Sequence, residues 1–384
     1  MTAQTDLPTH IEQLKLFSFR NYASARLSLD HRHVVLTGEN GAGKTNLLEA
    51  VSFLSPGRGL RRSVYGQVAR EGGDGTWAVH AELNGPAGPV AIGTGLQHGA
   101  QGVEGQRRVH VNSATAKTSD VLLEHSRIVW LTPSMDGLFT GPKGDRRRFL
   151  DRLVLAIDPA HGRRVADYEK SMRARNKLLE DFSADKSWLV SIESQLAESA
   201  IAIAFARAEL VDLLRAIIGR GETGPQAVFP NAEIALDGTL EDMMRAGSAS
   251  DLEDEFRALL VRERGRDRAA GRMIDGPHRT DIAVRHGPKD MAAALCSTGE
   301  QKALLTGLVL AHANLVAEVS GMVPILLLDE IAAHLDAGRR AALFNLIDTL
   351  GCQAWMTGTD ANLFDAMGER AQHFTVSDSR IVPT

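Results

Sequence analysis

The chain runs to 384 residues, room for two or three domains and a sizeable core. With 43% hydrophobic and 24% charged residues it has a globular balance, which excludes a disordered or low-complexity polypeptide. The net charge of −5 does not by itself mark a nucleic-acid binder, the opening MTAQTDLPTHIEQ holds no apolar leader, and no run approaches the ~18 apolar residues of a membrane span. Two cysteines, Cys296 and Cys352, lie far apart without CxxC spacing. That argues against a zinc site or a disulfide framework and suits a reducing cytoplasm. Cys296 precedes a helix N-terminus that would lower its pKa, although a small buried thiol is the simpler reading.

In chain order, residues 11–29 read as two strands and 33–36 as a buried strand. Between that strand and a helix over 46–54 stands Gly38-Glu39-Asn40-Gly41-Ala42-Gly43-Lys44-Thr45. The pattern GxxxxGK[ST] in a strand–loop–helix frame is a phosphate-binding loop. Its glycines let backbone N–H groups and the helix N-terminus face phosphate charge. Lys44 is expected to reach the β- and γ-phosphates of ATP, and the Thr45 hydroxyl to sit on Mg²⁺. Arg58, Arg61 and Arg62 follow the helix.

From 76 to 111, short alternating runs broken by glycine and proline read as an antiparallel meander. Residues 119–125 form a short helix candidate and 127–131 another strand. The segment 145–218 carries apolar residues at helical period, enough for two or three long helices. Bases cluster as Lys143, Arg146, Arg147, Arg148 and Arg152, and again as eight arginines between 257 and 285. Such clusters suit phosphate-backbone contacts with DNA; solvated faces or internal ion pairs are the plainer alternative.

Ser297-Thr298-Gly299-Glu300 opens a long apolar helix running to about residue 319. Ser297 with Glu300 is a capping box, and the same helix N-terminus offers Ser297 and Gly299 as a second grip on a γ-phosphate. The run Pro324-Ile325-Leu326-Leu327-Leu328 reads as a parallel strand buried on both faces, ending in Asp329-Glu330. Asp329 is placed to hold Mg²⁺ and Glu330 to orient or deprotonate the attacking water. A final strand is read at 353–356, before Thr357-Gly358-Thr359.

The signature-like helix resembles that of ATP-binding-cassette ATPases, where it comes from the opposite subunit, and His334-Leu335-Asp336 fits that superfamily's D-loop. More specifically, FRNY at 19–22, GENGAGKTNLLEA, GPKGDRRRFLD, GPHRTD, STGEQKALL, LLLDEIAAHLD and TGTD resemble the RecF family of bacterial gap-repair ATPases. Pro133-Ser134-Met135-Asp136 departs from the family, which more often has an acidic residue soon after the proline. The resemblance implies an α/β fold: an ABC-type P-loop ATPase head with an antiparallel β subdomain, plus a helical arm domain. It also implies a cytoplasmic protein that binds single-stranded and gapped duplex DNA, binds and slowly hydrolyses ATP with Mg²⁺, and forms an ATP-dependent homodimer. RecR, RecO and RecA are the implied partners, in gap repair, replication restart and SOS induction.

On this reading residues 1–143 with 275–384 form the head and 144–274 the arm, about 130 residues and too short for the long coiled coil of SMC proteins. Two other readings stay open. One is an ATPase driving a partner nuclease, disfavoured because the chain shows no nuclease-type carboxylate or metal-ligand cluster. The other is a transporter's energy-coupling subunit, disfavoured because Thr357 and Thr359 stand where a histidine is usual and no Q-loop glutamine lies near 131–135.

Overall fold

The computed structural model describes residues 8–86, 88–97, 105–181, 186–221, 229–246 and 251–384. The chain divides into two compact units, Met1–Asp136 with Leu308–Thr384, and Gly137–Gly307.

The first unit carries two six-stranded sheets. One contains β3 (His33–Thr37), β8 (Ile128–Leu131), β12 (Ile325–Leu328), β13 (Ala354–Gly358), β14 (Ala371–Ser377) and β15 (Arg380–Pro383), in the order β15-β14-β3-β13-β12-β8. All its pairings are parallel except that of β15 with β14. Strands β3, β8, β12 and β13 are buried along their whole length, which is why they appear in sequence as continuous apolar runs. The other sheet is antiparallel, β2-β1-β4-β5-β6-β7. It comprises β1 (His10–Phe19), β2 (Tyr22–Ser28), β4 (Trp77–Asn84), β5 (Val90–Leu96), β6 (Arg107–Val111) and β7 (Ala114–Thr115).

Helix α1 (Lys44–Ser52) shares one core with both sheets. Leu47, Leu48 and Val51 meet Leu14, Leu16 and Val79 of the antiparallel sheet and Trp130, Leu327 and Trp355 of the parallel one in that cluster. Just past α1, Phe53 packs on Trp77 at 4.9 Å and edge-on to Phe19 at 6.0 Å between ring centroids. Burying a large side chain of this kind is worth about 1.5–3 kcal/mol. Arg107 of β6 is half-buried over this ring and donates to the carbonyls of Phe53, Ser55 and Gly57, capping the C-terminal end of α1.

The second unit contains α2 (Lys143–Ile157), α3 (His161–Glu180), α4 (Lys186–Arg220), α5 (Thr239–Ala246), α6 (Leu252–Arg262) and α7 (Arg264–Ala270). It also holds a small antiparallel sheet of β9 (Ala232–Asp237), β10 (Asp281–His286) and β11 (Met291–Ala292). Tyr168, Leu196, Ile203, Leu240, Phe256 and Met273 form its core. Beside that core Arg175 is fully buried, bonded to Glu193 at 3.0 Å, Asp267 at 2.6 Å and the Leu260 carbonyl at 2.7 Å.

Several expectations change. The boundaries fall at 136/137 and 307/308, whereas the arm is read from sequence as 144–274. Strand β9, buried only at Ala232 and Ile234, lies beyond the 145–218 segment read as helical and within the mainly helical arm. The strand at 353–356 is not the last, because β14 and β15 follow it in the chain and join the same sheet beyond β3. Among the described residues α8 (Thr298–Ser320) is long and apolar enough to cross a bilayer, contrary to the sequence reading, but 61% of its apolar window is buried in protein.

Replacing Arg175 by methionine leaves two carboxylates buried with too few cations. The substitution is expected to cost about 3–5 kcal/mol in urea denaturation. A loss below about 1 kcal/mol would show that Arg264, which also binds Glu193, suffices alone.

Candidate nucleotide site

The loop 38–45 turns from the end of β3 into α1 through glycines that no other residue could replace cheaply. Gly38 has φ +144° and a Cβ there would stand 2.1 Å from the Val376 carbonyl oxygen. Gly43, at φ +116°, would bring a Cβ to 2.5 Å from Asn21 Nδ2 and 2.7 Å from the Tyr22 hydroxyl. The loop is therefore pressed against its own protein on one side, while Glu39, Asn40 and Gly41 are exposed on the other.

The residues that press it are those of the FRNY motif. Asn21 donates to the Ala42 carbonyl at 3.2 Å and accepts from Asn46 Nδ2 at 2.6 Å. Tyr22 donates to the Gly43 carbonyl at 3.2 Å, and its own burial raises its pKa. Arg20 forms a two-pronged pair with Glu49 of α1, whose carboxylate is fully buried, and Arg61 joins the same carboxylate at 2.9 Å. Sequence reasoning gave these side chains no role in the site, since nothing in their spacing shows that β1 and β2 meet the loop.

Lys44 is 5% exposed and donates to the carbonyls of Gly38 at 2.6 Å and Glu39 at 2.8 Å. Burial holds its ammonium below the ordinary lysine value, against the pull of Glu330 and Asp329. The Thr45 hydroxyl donates to Asp329 Oδ1 at 3.0 Å, across 284 residues of chain. Thr357 of β13 donates to the same oxygen at 2.7 Å and accepts from the Glu330 backbone N–H at 2.9 Å. Glu330 itself sits in the left-handed region at φ +53°, a conformation that a non-glycine residue holds only against strain. A buried ammonium, glycines in close contact and a hydroxyl–carboxylate pair of hard oxygen donors fit a nucleotide phosphate with Mg²⁺.

In the second unit Ser297 and Gly299 head α8. Ser297 N–H donates to Glu300 Oε2 at 2.9 Å and the Glu300 N–H to Ser297 Oγ at 3.4 Å, the capping box read from sequence. Lys289, then the Ser297 contacts, hold the Glu300 carboxyl down to about 2. Cys296 does not gain acidity from this helix end; burial raises its pKa, and burial pushes Cys352 up to about 12.

A sequence model described as the RecF/RecN/SMC N-terminal domain matches residues 10–381. The DNA replication and repair protein RecF of Mesorhizobium japonicum is 61% identical over 377 residues, 98% of either chain. The chain belongs to the RecF family. The protein of the same name from Brucella suis is 60% identical, over 97% of this chain and 95% of its own. A solved structure described as the recombination mediator protein RecF-ATP in the RecFOR pathway has a TM-score of 0.87, with 100% of both chains covered. At 21% identity that likeness speaks for the fold.

Two motifs that mark this RecF-family chain face each other inside the second unit. Arg146 of RRRFLD is bound two-pronged to Asp281 of GPHRTD, at 2.7 and 2.9 Å, and donates to the Gly141 carbonyl at 2.6 Å. The expectation that Arg146 contacts DNA therefore gives way: its donors are committed internally. Arg147 donates to the Thr280 carbonyl at 3.2 Å and is half-buried; Arg148 is exposed and paired with Asp145. Asp151 holds Arg207, which reaches the Pro277 carbonyl at 2.6 Å. His278 accepts from the Tyr168 hydroxyl at 2.8 Å, and burial lowers it to about 4. Within the second arginine cluster, Arg264 pairs with Glu193, Arg285 with Asp290, and Arg266 with Glu263 and Asp275.

Thr357 is expected to matter through its hydroxyl. Thr357→Val strands a backbone N–H and removes a donor from Asp329, which should cost about 1–3 kcal/mol in urea denaturation. Thr357→Ser should keep most of that stability. A loss from Thr357→Ser with none from Thr357→Val would assign the effect to the methyl group.

Proposed function

We propose that this chain is an ATP-controlled DNA-binding protein of recombinational gap repair, replication restart and SOS induction, working in the cytoplasm. The observation that carries the reading is the gathering of Lys44, Thr45, Asp329 and Glu330 at the ends of β3 and β12 in a chain of the RecF family. In this reading the loop Gly38, Glu39, Asn40, Gly41, Ala42, Gly43 cradles phosphate with its backbone, and Lys44 supplies the cation for the β- and γ-phosphates. Thr45 and Asp329 would hold Mg²⁺, which supplies charge neutralisation at the phosphates. Glu330 orients or deprotonates the attacking water, and Ser297 with Gly299 grips phosphate across an ATP-dependent homodimer. Hydrolysis is slow and stimulated by DNA, single-stranded or gapped; RecR, RecO and RecA are the partners the family supplies. Arg147 and Arg148 remain the residues of the first basic cluster offered to DNA.

Purified protein should hydrolyse ATP faster when DNA is added; indifference to DNA would defeat the reading. Lys44→Ala should abolish nucleotide binding in a titration while circular dichroism is unchanged. Glu330→Gln should keep binding and lose about 10²–10⁴-fold in turnover. Unchanged affinity in the first or wild-type turnover in the second would displace that residue from its role.

The shared site has its own test. Lys44→Ala and Ser297→Arg each damage both sites of a homodimer, whereas a mixed dimer gathers both lesions in one site and leaves the other whole. Mixing the two proteins should therefore restore part of the ATP-dependent dimerisation. No recovery would mean that each subunit builds its own site.

A further inference from the structure

The antiparallel sheet of the first unit turns one face to the core and leaves the other open. Leu14, Leu16, Val79, Ala81, Ile92 and Val109 point inward. On the opposite face the strand register lines up two rows. One runs Ser24, Phe17, Ala78, Gly95, Arg108, each paired with the next. The other runs Arg26, Lys15, His80, Gly93, His110.

Phe17 is 59% exposed, near the end of β1 and beside the edge strand β2, although Leu16 and Phe19 of the same strand are buried. Its cross-strand partners are serine and alanine, and glycine follows, so the ring stands beside a flat shelf with nothing tall next to it. The charge on this face is net positive, with Glu82 of β4 as the carboxylate beside Lys15. Lys15 pairs loosely with Glu82 at 3.6 Å, whereas Arg26 and Arg108 are exposed and have no hydrogen-bond or ion-pair partner among the described residues. His80 adds no charge, since burial and Lys15 lower its pKa. With ~3.4 Å per residue along a strand and ~4.8 Å between strands, Lys15 lies about 7 Å from Phe17, Arg26 about 8 Å and Arg108 about 14 Å across the shelf.

We infer that this face is a stacking platform for single-stranded nucleic acid, with a base on Phe17 and the backbone carried past Lys15, Arg26 and Arg108. An exposed ring with small neighbours and flanking cations is what unpaired bases require, because their faces are free to stack while their phosphates need countercharge. A duplex hides its base faces and can use only the cations. Charge complementarity favours this occupant over an apolar partner surface or a second copy of the chain, which would have to bury Arg26 and Arg108 unpaired. The inference rests on the DNA-binding reading above and adds to it a place where the single strand is held.

The test uses the full chain with a fluorescein-labelled oligothymidylate and a duplex of equal length, read by anisotropy over a salt series. Phe17→Ala should weaken single-strand binding about tenfold or more and leave duplex affinity and nucleotide binding unchanged. Phe17→Trp should retain the affinity, and its added emission should be quenched by the oligonucleotide. Arg26→Glu with Arg108→Glu should weaken binding and flatten its salt dependence. The inference is overturned if Phe17→Ala leaves single-strand binding intact, weakens both forms alike, or changes only self-association in gel filtration. Wild-type protein that binds neither form would remove the DNA-binding reading itself. Binding of both forms with an indifferent Phe17→Ala would remove only the platform.

Discussion

The pair between Arg20 and the fully buried carboxylate of Glu49 is the contact on which the nucleotide-site half of the molecule depends. Helix α1 is fastened at its first turn through Asn46, along its flank and at its far end. Arg20 and Arg61 fasten its flank, Asn21 and Tyr22 fasten the loop ahead of it, and Arg107 takes the carbonyls behind it. All but Arg61 come from the antiparallel sheet and its first turn. That sheet is thus the mount of the phosphate loop. A single unpaired Glu49 would cost several kcal/mol, so arginine on the sheet and glutamate on the helix hold each other in place.

The second unit uses the same device with different partners. Asp281, Thr280, Pro277 and His278 of one short segment receive Arg146, Arg147, Arg207 and Tyr168 from three helices. The arginine run at 146–148 and the GPHRTD segment are therefore two halves of one clasp, at least as far as Arg146 and Arg147 are concerned. Net charge along a sequence window says nothing of this, because the neutralising aspartate arrives from 135 residues away.

What was legible in the sequence was whatever is local. The strand before the loop, the loop glycines, Lys44 and Thr45 lie within thirteen consecutive positions, 33–45, and β12 announces itself as an apolar run ending in Asp329. The capping box at Ser297 and Glu300 was legible for the same reason. Strand β9 was missed because six residues with only two of them fully buried make a weak period, and β14 and β15 because short mixed strands look like loops. The work of Thr357 was missed because it joins Asp329 and Glu330 only once β13 lies beside β12. In sequence it registered as the lack of a histidine and as the start of TGTD, with no partner named.

The box that closes the start of α8 has a meaning beyond helix stability. Glu300 keeps its charge far into acid and lays one oxygen on the Ser297 N–H, while Lys289 offsets that charge from the side. The helix end is thereby supplied with an anion of its own. Free phosphate or a stray nucleotide meets a resident competitor tethered three residues away, at an effective concentration that dilute ligands do not match. A helix terminus built this way has already given one of its N–H groups to an anion of its own chain.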